Sequence, residues 1–265
     1  MDEKSALRNR LNITVDQAQI SALGHRPSNQ DALDSAVQDG LICFVMSDGT
    51  GGHAGGEVAS KLVVESILAQ FVREASFGSR ALRSYIDCAI VKVAQNKKQS
   101  EKRSNMSATV AALIIDQSNR CALWAHLGDT RIYFFRNGRL QSATSDHSLA
   151  QRFVDAGYAK ADQLRTHPQR SVLYAAIGAE GDTFPEVTRE AVQIQDQDAF
   201  LICTDGFWEW VLEAQMELAL SASQSSEEWL TIMSTIAQAN AFASGAARDN
   251  YSATTICLCE PVGGG

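Results

Sequence analysis

Aspartates stand at the points where apolar runs give way to polar loops, and their placement is the first chemical signal in the sequence. Leu41 to Met46 leads into Asp48-Gly49-Thr50-Gly51-Gly52-His53-Ala54-Gly55-Gly56-Glu57. The glycines release the backbone from side-chain sterics, so carbonyl oxygens and a carboxylate can crowd around a small, highly charged object. Ala199 to Cys203 repeats the design and discharges into Thr204-Asp205-Gly206. Near the C-terminus Arg248-Asp249-Asn250 precedes the apolar-rich stretch 253–259, and upstream a polar loop, 24–31, carries Arg26 and Asp31. Singly, each such feature also reads as a plain turn or a helix cap. Together, converging on one edge of a sheet, these carboxylates would repel strongly without a counter-charge. Oxygen-rich sets of this kind suit hard divalent cations such as Mg2+ and Mn2+.

Positioning them requires a scaffold, and its elements are visible in the pattern. Strand-like runs rich in Val, Ile, Phe, Tyr, Thr and Cys lie at 41–47, 109–116, 121–127, 131–136, 200–204 and 253–259. The short connections through 109–136 suit antiparallel neighbours, and Asn137-Gly138 predicts a hairpin into 139–143. Val58, Leu62, Ile67 and Phe71 make one stripe of a helix over 57–75, and Leu82, Ile86, Ile90 and Val93 do the same over 79–99. A third helix starts at the capping box Ser225-Ser226-Glu227-Glu228. Strand groups separated by helix pairs indicate an α+β layered fold. The segment 147–179 reads differently, with a helical start, a polar middle and a mixed end.

At 265 residues the chain suits one large domain with a sizeable core, 1–265, and no second domain is evident. The net charge of −8 argues against general nucleic-acid binding. No apolar stretch is long enough to span a bilayer, and the N-terminus lacks the apolar region of a signal peptide. The six cysteines, mostly inside apolar runs, read as small buried hydrophobes in a reducing compartment, so a cytoplasmic location is expected.

Six segments taken in order, Arg26–Asp31, Asp48–Ser60, Gly128–Arg131, Thr144–His147, Thr204–Phe207 and Asp249–Asn250, resemble the metal-dependent protein serine/threonine phosphatases (PPM, type 2C), the bacterial branch above all. The likeness runs from about residue 20 to 259. It implies a four-layer α-β-β-α sandwich of two mainly antiparallel sheets flanked by helices. It implies two Mn2+ or Mg2+ ions activating water against a phosphoserine or phosphothreonine monoester. Carried over residue by residue, the metal ligands are Asp48, Asp205, Asp249 and the Gly49 carbonyl, with Asp31 acting through water. Asp129 matches a position linked to a third, weaker ion, a turn residue being the other reading. Arg26 is the phosphate receptor, its planar fork matching phosphoryl oxygens, with a salt bridge to a nearby carboxylate as the other reading. Arg26, Asp31 and Asp48 form the expected catalytic core.

The likeness also has departures. Animal and plant members carry a catalytic histidine directly after the Asp-Gly pair, where this chain has Thr50, so His53 is a weak substitute as general acid. His25, His126, His147 and His167 are expected to be structural, and Trp208 and Trp210 to anchor packing. Gln30 stands where a glutamate is frequent. Segment 147–179 matches a mobile flap in bacterial members, an ordinary surface excursion being the alternative. Phosphorylated proteins are the implied substrates, a Ser/Thr kinase the implied opponent, and a monomer the expected state. A competing reading, a phosphoprotein-binding scaffold on the same fold without turnover, would be expected to have lost one of Asp48, Asp205 or Asp249, and all three are present.

Overall fold

A computed structural model describes residues 12–50, 54–99, 104–180 and 184–260. Two antiparallel sheets lie face to face. The first has the order β1 (Thr14–Ala22), β12 (Tyr251–Cys259), β11 (Ala199–Cys203), β7 (Arg131–Arg136), β8 (Arg139–Ala143). The second has the order β10 (Val192–Gln193), β6 (Cys121–Leu127), β5 (Val110–Asp116), β3 (Leu41–Thr50), β2 (Asp31–Gln38), with β4 (Ser107–Ala108) on β3 and β9 (Glu186–Val187) on β6. Helices α1 (Ala54–Arg73) and α2 (Ser79–Lys97) cover the second sheet. Helices α5 (Glu213–Ala222) and α6 (Ser226–Ser244) cover the first, joined to β11 by the short α4 (Asp205–Trp208). The four-layer α-β-β-α sandwich implied by the family resemblance is the architecture found.

The period-two alternation of the strands explains the layering. On β3, Leu41, Cys43 and Val45 pack against α1 and α2, while Ile42, Phe44 and Met46 enter the space between the sheets. On β11, Phe200 and Ile202 face inward, while Leu201 and Cys203 meet Trp229 and Met233 of α6. Buried on both faces, these strands read as continuous apolar runs. Phe134, Phe200 and Trp124 form an aromatic cluster between the sheets, with ring centroids 4.9 and 5.9 Å from Phe200. Each such side chain contributes about 1.5–3 kcal/mol of burial.

Several sequence expectations need correction. Strand β3 does not end before the glycine-rich bend but continues through Asp48 to Thr50, where Gly49 and Thr50 pair with β4. Strands β5 and β6 are antiparallel neighbours, but β7 belongs to the other sheet. The chain crosses the sandwich at Gly128-Asp129-Thr130, with Gly128 at φ +109°. Strands β1 and β2, and helix α5, were not anticipated. Both strands are sheet edges and partly exposed, so their polar residues masked the alternation. The Asn137-Gly138 hairpin is present, with φ of 52° and 69°. Ser225 caps α6 by accepting a hydrogen bond from the Glu228 N–H. Cys43 and Cys203 are buried, but Cys88, Cys121 and Cys257 are only partly so and Cys259 is exposed, and none of the six cysteines is in a disulfide.

Candidate active site

The aspartates singled out by the sequence reach one end of the sandwich from separate elements. Asp48 lies near the end of β3, Asp129 in the β6–β7 crossing, Asp205 at the start of α4, and Asp249 just before β12. With Gly49, Arg26, Gln30 and Asn250 they line one cleft of about 190 Å³. Asp31 is placed differently. It opens β2 directly across from Asp48 on the neighbouring strand, is buried, and is not on the cleft wall. Its Oδ2 accepts from Thr204 Oγ1 at 3.0 Å, and its Oδ1 is buried with no hydrogen-bond partner.

Backbone hydrogen bonds fix these positions. The Asp48 N–H donates to Thr109 Oγ1 at 2.9 Å, and the Thr109 N–H donates to the Asp48 carbonyl at 2.8 Å. Asn250 ties three loops together. Its side-chain amide donates to the carbonyls of Leu23 and Ser28, its Oδ1 accepts from the Gln30 N–H, and Gln30 in turn accepts from the Gly49 N–H at 3.0 Å. Gly206 is required by close packing: a Cβ there would sit 2.0 Å from the Asn250 carbonyl oxygen. Trp208 donates its indole N–H to the Asp129 carbonyl at 2.9 Å, and the Arg131 guanidinium lies 3.5 Å over the Trp208 ring. Arg131 is held by two 2.7 Å hydrogen bonds to Asp146, a buried bidentate pair. The motif segments at 128–131 and 144–147 thus brace Asp129, a role the sequence did not disclose for Arg131 or Asp146. Asn250 was also missed, although it stands beside Asp249 in the motif.

The electrostatics are those of crowded, undercompensated carboxylates. Burial, and then the charges of Asp31, Asp205, Asp129 and Asp249, raise Asp48 well above the ordinary carboxylate range. Burial, followed by Asp129 and Glu209, does the same to Asp205. Asp129 is raised to about 7, chiefly by burial and then by Asp146, and Asp31 to about 6, chiefly by burial. Arg26 is the cation on the cleft wall, with Nη2 donating to Asp249 Oδ2 at 2.5 Å, both side chains being nearly half exposed. This is the salt bridge weighed against phosphate binding, and it ties the arginine to the cleft. A wholly oxygen donor set, an orphaned buried carboxylate oxygen and mutual repulsion fit divalent cations of the Mg2+ or Mn2+ type.

From the 147–179 segment, Ser171 and Leu173 reach the cleft wall. Its helix α3 (Leu149–Asp155) is capped by Ser148, and Arg170 pairs with Glu209, one turn after Asp205. His53 lies outside the described residues. His126 and His147 stack at 4.8 Å between ring centroids, beside Glu186, and their ligand atoms lie within 4.8 Å of one another. His147 Nδ1 accepts from the Gly128 N–H, so the neutral ring carries its proton on Nε2, facing Glu186 at 3.4 Å. That tautomer gives His147 Nε2 no lone pair for a metal, and the two rings stack on each other, with His147 edge-on to Tyr174. His25 Nδ1 accepts from the Arg248 N–H, and His167 packs on Phe153. Trp208 is fully buried and Trp210 partly so.

Comparison with known proteins matches residues 21–247 to the family described as protein phosphatase 2C. The serine/threonine phosphatase stp of Listeria innocua is 31% identical over 226 residues, covering 82% of this chain and 85% of the relative. Among solved structures, the Mycobacterium tuberculosis serine/threonine phosphatase PstP/Ppp aligns with a TM-score of 0.79 at 25% identity, over 93% of this chain and 99% of that one. A PstP catalytic domain in complex with two manganese ions aligns with a TM-score of 0.78 at 23% identity, over 93% of this chain and 99% of that one.

Proposed function

The chain belongs to the protein phosphatase 2C family, and from that premise we propose that it hydrolyses phosphoserine and phosphothreonine in proteins, using two divalent cations, Mn2+ or Mg2+, at the carboxylate cleft. One observation carries this reading. Asp48, Asp129, Asp205 and Asp249 converge with Arg26 on a single cleft, and burial and neighbouring negative charge raise Asp48, Asp129 and Asp205. The relatives named as serine/threonine phosphatases support the activity, and the manganese-bound PstP domain supports the cofactor.

Asp48, Asp205, Asp249 and the Gly49 carbonyl would hold the two ions, Asp31, paired across from Asp48, would act through water, and Asp129 offers a seat for a third. When bound, such ions supply the Lewis acidity that activates water and neutralises charge on phosphoryl oxygens. The protein's own part begins with Arg26. Its contact to Asp249 holds the guanidinium at the cleft wall and leaves its other N–H donors for the phosphoryl oxygens. A small, open cleft suits a phosphorylated side chain presented on a protein surface. Ser171 and Leu173 bring the 147–179 segment to its rim, where that segment would meet the substrate chain. The same reading takes 1–265 as one catalytic domain, acting as a cytoplasmic monomer against the products of a Ser/Thr kinase. Among the described residues no helix is long and apolar enough to cross a membrane.

The test is release of inorganic phosphate from a phosphothreonine peptide. Wild-type protein with Mn2+ should turn the peptide over, and Asp205→Asn should remove most of that activity while keeping the fold. Wild-type rates from the variant would mean that the ligands are misassigned.

A further inference from the structure

The wall of the active-site cleft has a second side. The His25 N–H donates to the Arg248 carbonyl at 2.8 Å, and the Arg248 N–H donates back to His25 Nδ1 at 2.9 Å. Gly24, at φ +57°, makes this crossing so tight that a Cβ there would lie 2.1 Å from the Asp249 carbonyl oxygen. Consecutive residues then face opposite ways. Arg26 and Asp249 line the active-site cleft, while His25 and Arg248 line a separate one of about 470 Å³.

Arg248 is in an unusual position for an arginine. It is only 5% exposed, its guanidinium lies 3.4 Å over the Tyr251 ring, and its Nε makes a long 3.3 Å hydrogen bond to the Gly206 carbonyl. Its Nη2 is buried with no hydrogen-bond partner, and no salt bridge to a carboxylate is found for it among the described residues. A guanidinium keeps its charge, so burying it unpaired is costly. The second cleft has no acidic side chain in its lining, although the chain carries a net charge of −8. Two further donors flank Arg248. His25 accepts at Nδ1, so its neutral ring presents Nε2–H. Gln238, exposed on α6, adds an amide. The C-terminal end of α6 lines the opposite wall, where the Gly245 N–H and Ser244 Oγ already occupy the carbonyls of Phe242 and Ala241. Tyr251 and the exposed Phe242 supply apolar surface beside it.

We propose that this cleft is a second anion subsite, built on Arg248, that receives a carboxylate or phosphate group carried by the substrate chain near the phosphoresidue being hydrolysed. The proposal rests on the phosphatase reading above, because the two clefts share one wall, formed by Gly24–Arg26 and Arg248–Asp249. It assigns the protein a preference for phosphoproteins that are acidic, or phosphorylated again, at a fixed distance from the reacting group.

The experiment uses phosphothreonine peptides that differ only in Glu against Gln at each flanking position, assayed with saturating Mn2+. Wild-type protein should prefer Glu at one register by about tenfold in kcat/KM, the scale of one charge-assisted contact. Arg248→Gln should erase that preference while leaving p-nitrophenyl phosphate and the Gln peptides within about twofold. Gln238→Glu changes only the exposed surface of α6, puts a carboxylate into the cleft and should erase the preference too. Absence of any preference in the wild type overturns the proposal. So does an equal loss on every substrate in Arg248→Gln, which would make Arg248 a brace for Asp249, and so does a preference that survives Gln238→Glu. A binding arm separates this from failure of the phosphatase reading. The His25 ring resonances, followed by NMR, should shift with an unphosphorylated acidic peptide whether or not any phosphopeptide is hydrolysed. A shift with inorganic sulfate but none with the acidic peptide would mark a free-anion site and overturn the substrate assignment.

Discussion

At the scale of single residues, the candidate site is a set of carboxylates raised by burial and by one another's charge, and the proposed cations would relieve that repulsion. That makes two consequences of one substitution diverge. Asp48→Asn should remove most turnover, yet in EDTA it should melt at a higher temperature than the wild type, because a buried, repelled charge has gone. A lower melting temperature in EDTA would mean that the Asp48 carboxylate is already satisfied within the protein. Arg26→Ala should lose about 1.5–3 kcal/mol of transition-state stabilisation, seen mainly as a raised KM, the size of a charge-assisted hydrogen bond. Steady-state kinetics with parallel Mn2+ titrations will check it. An unchanged KM with collapsed metal affinity would make the Asp249 contact the whole role of Arg26. The convergence of the aspartates was legible in the sequence because each stands where an apolar run gives way to a polar loop. Asn250, Arg131 and Asp146 were not, since their work is to hold loops across distances of chain that spacing cannot reveal.

At the scale of elements, the site depends on where strands end and how closely loops cross. Strands β3 and β11 could be read directly, because burial on both faces leaves an unbroken apolar run. Strands β1 and β2 could not, since an edge strand such as Asp31–Gln38 keeps polar residues on an accessible face. The step of β7 into the opposite sheet was equally hidden, because a short connection looks the same whether it makes a hairpin or a crossing. The crossing loops leave no room for side chains. Gly206→Ala would force a Cβ against the Asn250 carbonyl, moving Asp205 and Asp249 together. The expected cost is about 1–3 kcal/mol in chemical denaturation, with a higher Mn2+ concentration for half-maximal activity. Wild-type stability and metal requirement in this variant would show that the two loops move independently.

At the scale of the whole molecule, the sandwich holds charge that folding alone does not favour. Asp31 and Asp129 have folded-state values of about 6 and about 7 against an ordinary 3.8, so between those limits the native state binds more protons than the unfolded chain. Stability of the EDTA-stripped protein should therefore fall as pH rises through that window, and Mn2+ should remove the decline by taking the place of the protons. Melting curves at pH 5 and pH 8 will check this, and a metal-stripped protein no less stable at pH 8 would contradict it. The central claim, that the convergent carboxylates are a catalytic site for divalent cations, is tested most directly by metal titration. Protein stripped with EDTA and returned to metal-free buffer should release no phosphate from a phosphothreonine peptide, and Mn2+ should restore turnover saturably. Asp205→Asn should need far more ion and recover little. Full turnover by rigorously metal-free protein would contradict the account.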